Sequence, residues 1–208
     1  YTNVFEELDS PGEYFADNNA KRLYFYPPNG KVDIDDEMSY GISDGYVFNV
    51  TNGKNIVFSD IEINNVQNAI SINNGYQVVI QNTEISDLTS TAVSIENSKK
   101  CGLLNSAIHT IKSVSGRAKA ITISDGADLA ARHNFVQNSS IYDCPQGLSI
   151  NATGTIISHN LLQNTEYNGI GLSGQESIIE YNEFSGVANK ITDAGAIYIG
   201  GNILTRCN

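Results

Sequence analysis

Four carboxylates toward the C-terminal end, Glu166, Glu180, Glu183 and Asp193, are the side chains best suited to chemistry in this 208-residue chain. Glu166 and Asp193 stand 27 positions apart. If the chain returns on itself with that period, the two face each other at about 4.8 Å, the spacing of neighbouring strands. Two carboxyl groups about 5–5.5 Å apart suit acetal cleavage with retention, one attacking the anomeric carbon while the other gives and retakes a proton. Their mutual repulsion keeps one in its acid form near neutrality. Glu180 and Glu183 share the stretch Ile-Glu-Tyr-Asn-Glu at 179–183, and whichever points outward is a further acid or base.

A second group is basic. His109, Lys112, Arg117 and Lys119 crowd one segment, and Lys190 stands three positions before Asp193, in a chain of formal net charge −11. Cations so placed suit a substrate that carries carboxylates, which Arg binds in bidentate fashion. The plainer alternative is that they solvate loops or pair with surface acids. In an elimination, Arg117 or Lys119 would remove the proton beside a uronate carboxylate whose charge a cation neutralises. Tyr167, Tyr181 and Tyr198 offer faces for sugar rings, though Tyr is also an ordinary strand residue. His133 and His159 each precede an Asn and read as turn residues.

These side chains need a scaffold that brings distant residues together, and the sequence supplies one. Six segments share a small-apolar-x-apolar pattern: Ala-Ile-Ser-Ile at 69–72, Ala-Val-Ser-Ile at 92–95, Ala-Ile-Thr-Ile at 120–123, Gly-Leu-Ser-Ile at 147–150, Gly-Ile-Gly-Leu at 169–172 and Ala-Ile-Tyr-Ile at 196–199. Their starts are 23, 28, 27, 22 and 27 residues apart. Each follows an apolar residue of a second short strand: Ile63, Ile85, Ile108, Ile141, Leu162 and Phe184. Ahead of most of those stands a turn Asn: Asn82, Asn105, Asn138, Asn160 or Asn182. Helical repeats would need two runs of 3.6-residue periodicity in each unit, whereas these units hold strand-length apolar runs broken by Gly, Asn, Asp and Ser. The pattern predicts an all-β parallel β-helix of six to seven coils over residues 54–208, with like side chains stacked in columns. Ile121, Leu148, Ile170 and Ile197 should form one interior column. Ser71, Ser94, Thr122, Ser149, Gly171 and Tyr198 should form one outward line.

Loop length adds a location. From the second-strand apolar residue to the next motif the distance is seven or eight residues in four coils, but thirteen from Ile108 to Ile121 and from Phe184 to Ile197. Both long loops leave the same corner. They should wall a cleft with Cys144 and Glu166 in its floor, since long loops on a repeat scaffold favour the binding face.

Residues 1–53 lack the repeat and read as a capping segment. Tyr-Phe-Ala-Asp at 14–17 and Arg-Leu-Tyr-Phe-Tyr at 22–26 predict a β-hairpin closed by Pro-Pro-Asn-Gly at 27–30. The chain opens on Tyr1, and residues 202–208 read as the start of another coil, so a longer protein is one reading of its ends.

Several segments resemble a known family. Leu-Asp-Ser-Pro-Gly-Glu-Tyr-Phe at 8–15 with Leu-Tyr-Phe-Tyr-Pro-Pro at 23–28 is similar to the opening of secreted right-handed β-helix proteins. Ser-His-Asn at 158–160, the 179–183 segment and Asp-Ala-Gly-Ala-Ile-Tyr at 193–198 resemble their later coils. The resemblance implies a pectate-lyase-like, carbohydrate-active architecture, nearest the β-helical glycoside hydrolases of the α-L-fucosidase and xylanase group, and a secreted protein. The chain departs from that family at Gln-Asn-Thr-Glu-Tyr, 163–167, where a His-rich stretch is usual, at Lys190, where an acid is common, and at Gly200 and Gly201, where an Arg-Asp loop is common.

Composition narrows the classes. The net charge of −11 argues against a nucleic-acid partner, and no apolar run reaches the ~18 residues of a membrane span. Cys101, Cys144 and Cys207 lack metal-ligand spacing and read as buried thiols, with at most one chance pair. No cofactor is expected, although Asp-Gly-Ala-Asp at 125–128 is an acidic loop able to approach Ca²⁺. Asn49, Asn138 and Asn151 head glycosylation-type triplets, which an Asn-rich chain also produces by accident. Three functions stay open: a glycoside hydrolase with Asp193 and Glu166 or Glu180 as its acid and nucleophile, a lyase on uronate polymers, and a non-catalytic saccharide-binding or structural module. In each the partner is an extracellular or periplasmic polysaccharide or oligosaccharide, contacted by Arg117, Lys119, Glu183, Tyr167 and Tyr198 in the enzymatic readings.

Overall fold

The computed structural model describes residues 4–27, 45–113, 118–125 and 132–200. It divides into two compact units, Tyr1–Tyr40 and Gly41–Asn208. In the first, Tyr14–Asp17 and Arg22–Phe25 pair antiparallel as the sequence predicts. Asp17 builds the connecting turn, its carboxylate accepting the Asn19 and Ala20 N–H groups at 2.9 and 2.8 Å. Phe5, Phe15 and Tyr24 pack edge to face or tilted, with ring centroids 5.3–6.0 Å apart.

The second unit is a parallel β-helix, and no α-helix occurs among the described residues. Three parallel sheets carry one strand from each coil in turn. The first holds Tyr46–Thr51, Asn68–Asn73, Val93–Glu96, Lys119–Ser124, Gln146–Asn151, Ile170–Leu172 and Ile197–Ile199. The second runs from Lys54–Ser59 through Gly102–Leu104 to Ile178–Glu180, and the third from Glu62–Val66 through Ala107–Ile111 to Glu183–Ser185. Among the described residues the solenoid's first strand is Tyr46–Thr51, eight residues before position 54, pairing in register with Asn68–Asn73 despite lacking the small-residue motif.

The interior column is present. Ile121 stacks on Leu148, Leu148 on Ile170 and Ile170 on Ile197. The first three are wholly buried, and each such side chain contributes about 1.5–3 kcal/mol through burial. The outward line from Ser71 to Tyr198 also keeps register. Sequence reading found two strands per coil. The structure has three, the extra one carrying the buried column Ile80, Leu103, Val136 and Ile157.

Polar side chains hold the turn between the second and third sheets. Thr83 N–H donates to Ser106 Oγ, Ser106 N–H to Ser139 Oγ, Ser139 N–H to Asn160 Oδ1 and Asn160 N–H to Asn182 Oδ1, at 3.0–3.2 Å. Each buried N–H is thereby satisfied by the coil above. The left-handed residue lies one position earlier: Asn82, Asn105 and Asn138 at φ near +50°, then His159 at +58° and Tyr181 at +54°. Asn160 and Asn182 therefore belong to the internal ladder, not to the left-handed turn. His133, at φ +55°, likewise precedes Asn134, whose amide bonds Cys101 N–H and Ser98 C=O.

Candidate functional site

The site grows from the end of the third sheet. In its strands one position bends the chain toward the first sheet with positive φ: Asn65, Asp87, Thr110, Asp143, Asn164 and Gly186, stacked one above another. Asn, Asp and Gly tolerate this backbone well. Thr110, β-branched and at φ +55°, is the exception in its column.

A groove of about 690 Å³ opens at this corner, where the two long loops leave. Thr110, Ile111, Lys112 and Ser113 form one wall, and Asn189 and Lys190 the other. Asp143, Cys144 and Pro145 with Asn164 and Glu166 make the floor. Cys144 and Glu166, which loop length and coil register place in a cleft floor, line this groove, whereas His109, Lys119 and Asp193 are not among its lining residues.

The side chains inside are arranged differently from the sequence expectation. Lys190 Nζ ion-pairs with Glu166 Oε1, and Lys190 N–H donates to Glu166 C=O at 3.1 Å. Lys190 thus takes the place over Glu166 that coil register assigned to Asp193, because the thirteen-residue loop turns back over the coil below. Asp193 instead stands beside Tyr198, and its negative charge is the main influence pushing the phenol above its ordinary range. Tyr198 and Tyr167 are neighbours, with centroids 6.4 Å apart. Glu180 ends a second-sheet strand and Glu183 begins a third-sheet strand, so both sit at another corner. Of the three carboxylates offered as acid and nucleophile, Glu166 lines the groove, and Asp193 and Glu180 are not among its lining residues.

Lys119 is half-buried at the start of its first-sheet strand, paired with Gln146. Arg117, Asp128 and Cys207 lie outside the described residues. Asp125 is buried, its Oδ2 accepting Thr153 N–H at 3.2 Å. Cys101 and Cys144 are free and buried. Burial, followed by the Asp143 and Glu166 charges, pushes the Cys144 thiol up to about 12, so this thiol stays protonated near neutrality. Lys112 lies 3.9 Å from Asp87, a long and exposed pair.

His109 points outward from the third sheet rather than into the groove. Its ring stacks on Tyr142 at 4.6 Å and 8°. Nε2 lies 3.1 Å from Glu84 Oε1, and Nδ1 lies 2.9 Å from Thr110 Oγ1. Thr110, Asp143 and Asn164 were not singled out from sequence. Their common signal was an Asn or Asp recurring two residues past the third-sheet apolar position, with Thr110 breaking the pattern.

No helix among the described residues is long and apolar enough to cross a membrane. No curated protein matches this chain. The crystal structure of an alginate lyase from Paenibacillus sp. str. FPU-7 is similar in fold, with a TM-score of 0.56 and 19% identity over 75% of this chain. The matched part spans 59% of that lyase's length. Residues 45–208 match the model described as the right handed beta helix region. That stretch contains all three stacked parallel sheets, and the chain belongs to the right-handed β-helix family.

Proposed function

We propose that this protein binds a uronate-containing polysaccharide in the corner groove, outside the cell or in the periplasm, and cleaves it by β-elimination. The observation that carries the reading is the Lys190–Glu166 ion pair inside the groove, opposite a wall that holds Lys112. A chain of net charge −11 repels an acidic polymer over most of its surface, so exposed cations in a concave site mark where such a polymer can settle.

A uronate carboxylate competes with Glu166 for Lys190. Once neutralised by the ammonium, it acidifies the proton on the adjoining ring carbon. The unmasked Glu166 carboxylate takes that proton, the bond from the neighbouring carbon to the glycosidic oxygen breaks, and a carbon–carbon double bond forms. The departing oxygen takes a proton from Lys112. Tyr167 and Tyr198 extend the site as ring-stacking faces, and Lys119, Arg117 and Glu183 remain candidate contacts farther along the polymer. The alginate lyase likeness lends support at the level of fold.

Hydrolysis by two facing carboxylates has less support, because Glu166 is held by Lys190, Asp193 stands beside Tyr198 outside the groove lining, and Glu180 sits at a different corner. A non-catalytic saccharide-binding module is the second reading, favoured by the same observation that each groove-side carboxylate already has a partner. Incubation with a panel of uronate polymers separates the three. Growth of ultraviolet absorbance from the new double bond, lost in Glu166→Gln, is the expected result. Reducing sugar without absorbance would point to hydrolysis, and retention of polymer without either product to a binding module.

A further inference from the structure

The Glu84–His109–Thr110 chain has no part in that elimination, and its geometry is specific. Glu84 Oε1 lies 3.1 Å from His109 Nε2, and His109 Nδ1 lies 2.9 Å from Thr110 Oγ1. A carboxylate at Nε2 holds the proton there, which leaves the Nδ1 lone pair facing the threonine hydroxyl. Stacking on Tyr142 fixes the ring plane. Thr110 lines the groove while His109 and Glu84 stand behind it on the sheet face.

The backbone gives an independent sign. Every other described coil fills this left-handed position with Asn, Asp or Gly, and Thr110 adopts it at φ +55°. A β-branched residue held there is strained, and such strain collects at functional sites. Asn at this position would form the same bend without strain but would lack a hydroxyl to present to the groove.

A hydroxyl bonded to a carboxylate-oriented imidazole is the arrangement that activates an oxygen nucleophile toward acyl carbon. We propose that Thr110, activated by His109 and Glu84, removes O-acyl groups from the saccharide that the groove binds. This rests on the saccharide reading of the groove for its natural substrate. Thr110 Oγ1 attacks the ester carbonyl carbon as His109 Nδ1 takes the hydroxyl proton. The tetrahedral intermediate collapses, the ester C–O bond breaks, and the sugar oxygen leaves with the proton from His109. Water then attacks the acyl-threonine, His109 again accepting and returning one proton, which frees a carboxylic acid and restores Thr110. Lys112, on the same wall, supplies positive charge for the oxyanion. Glu84 is a positioning residue. The charged or titratable groups against His109 are Glu84 on the strand before and Tyr142 on the strand after, whose phenol in turn feels the Glu84 and Asp143 charges.

The test uses the whole chain with two esters, p-nitrophenyl acetate and an O-acetylated uronate polymer, and follows acetate release. Thr110→Val and His109→Gln should each lower kcat/KM by about 100-fold or more, while Thr110→Ser stays within about tenfold. His159→Gln, away from the relay, should leave it unchanged. Glu84→Gln should lower kcat rather than raise KM and move the acid limb of the pH profile, with partial recovery in Glu84→Asp. An acetyl adduct on the Thr110 peptide after acid quench completes the expected set. Melting curves of Thr110→Ser and His109→Gln guard against loss of fold in the valine variant. Polymer that binds without acetate release, with the small ester also untouched, overturns the relay and spares the uronate reading. Turnover of the small ester through Thr110 by a protein that does not retain polymer upholds the relay and overturns the uronate reading. Acetate release that survives both Thr110→Val and His109→Gln overturns the relay.

Discussion

Lys190 grips Glu166 twice, by an ion pair between side chains and by a 3.1 Å bond from its N–H to the Glu166 carbonyl. The main-chain bond fixes the long loop on the coil below, and the ion pair sets the charge of the groove. The ion pair itself contributes little to stability, since the two side chains are 65% and 37% exposed. Its importance is that an acidic ligand must displace Glu166 to reach Lys190.

Glu166→Gln should therefore tighten binding of a uronate oligomer by roughly two- to fivefold, because competition within the clamp is worth at most about 1 kcal/mol. Turnover should be lost in the same variant. Lys190→Met should weaken binding by about tenfold and flatten its salt dependence. Isothermal titration at two ionic strengths checks the three binding outcomes and ultraviolet absorbance the turnover; weaker binding by Glu166→Gln would contradict the clamp.

The interior column makes a contrast between two similar residues. Leu148→Ala removes a wholly buried side chain and should cost about 2–5 kcal/mol. Ile199→Ala acts at a side chain 58% exposed and should cost less than about 1 kcal/mol. Urea denaturation of the two variants measures the difference.

Asn160 carries three bonds of the internal ladder: it accepts from Ser139 N–H and donates to Val136 C=O and to Asn182 Oδ1. Asn160→Ala orphans buried groups at about 1–3 kcal/mol each. His159→Asn, at the adjacent left-handed position, should stay within about 0.5 kcal/mol. Hydrogen exchange at the Ser139 amide should rise sharply in the first variant and not in the second.

Cys144 predicts a pH effect. Its thiol is raised from 9.0 to about 12, so between those values the unfolded chain ionises while the folded chain stays protonated. Stability from this group is full below pH 9 and declines as pH climbs, by at most about 1.4 kcal/mol per unit. Denaturation of wild type against Cys144→Ala, from pH 8 to pH 11, should show a gap that narrows above pH 9. Other raised groups, such as Tyr46 and Tyr142, cancel in that difference.

Much of this fold is legible because inward residues recur at one place in each coil. Ile121, Leu148 and Ile170 announce a column through type and spacing alone. The second sheet is harder to read, since strands such as Gly102–Leu104 and Phe135–Gln137 have three residues and too few alternations to stand out. Loop arithmetic found the groove because loop length depends on chain count, not on conformation. It failed for Asp193 because residues inside a thirteen-residue loop need not keep strand register. Lys190 takes that place, and a Lys–Glu ion pair now stands where two carboxylates were expected. The Thr110 relay was hidden for another reason: Glu84 lies 25 residues away on the preceding coil, and its contact with His109 depends on which face each strand presents.

A hydrogen-exchange footprint of a uronate oligomer on the intact chain bears most directly on the groove. Binding should slow exchange at Thr110–Ser113, Cys144, Asn164–Glu166 and Asn189–Lys190 together, leaving the second-sheet strands from Tyr76–Gln81 to Ile156–Ser158 unchanged. Protection confined to that second sheet, or none at saturating oligomer, would contradict the account.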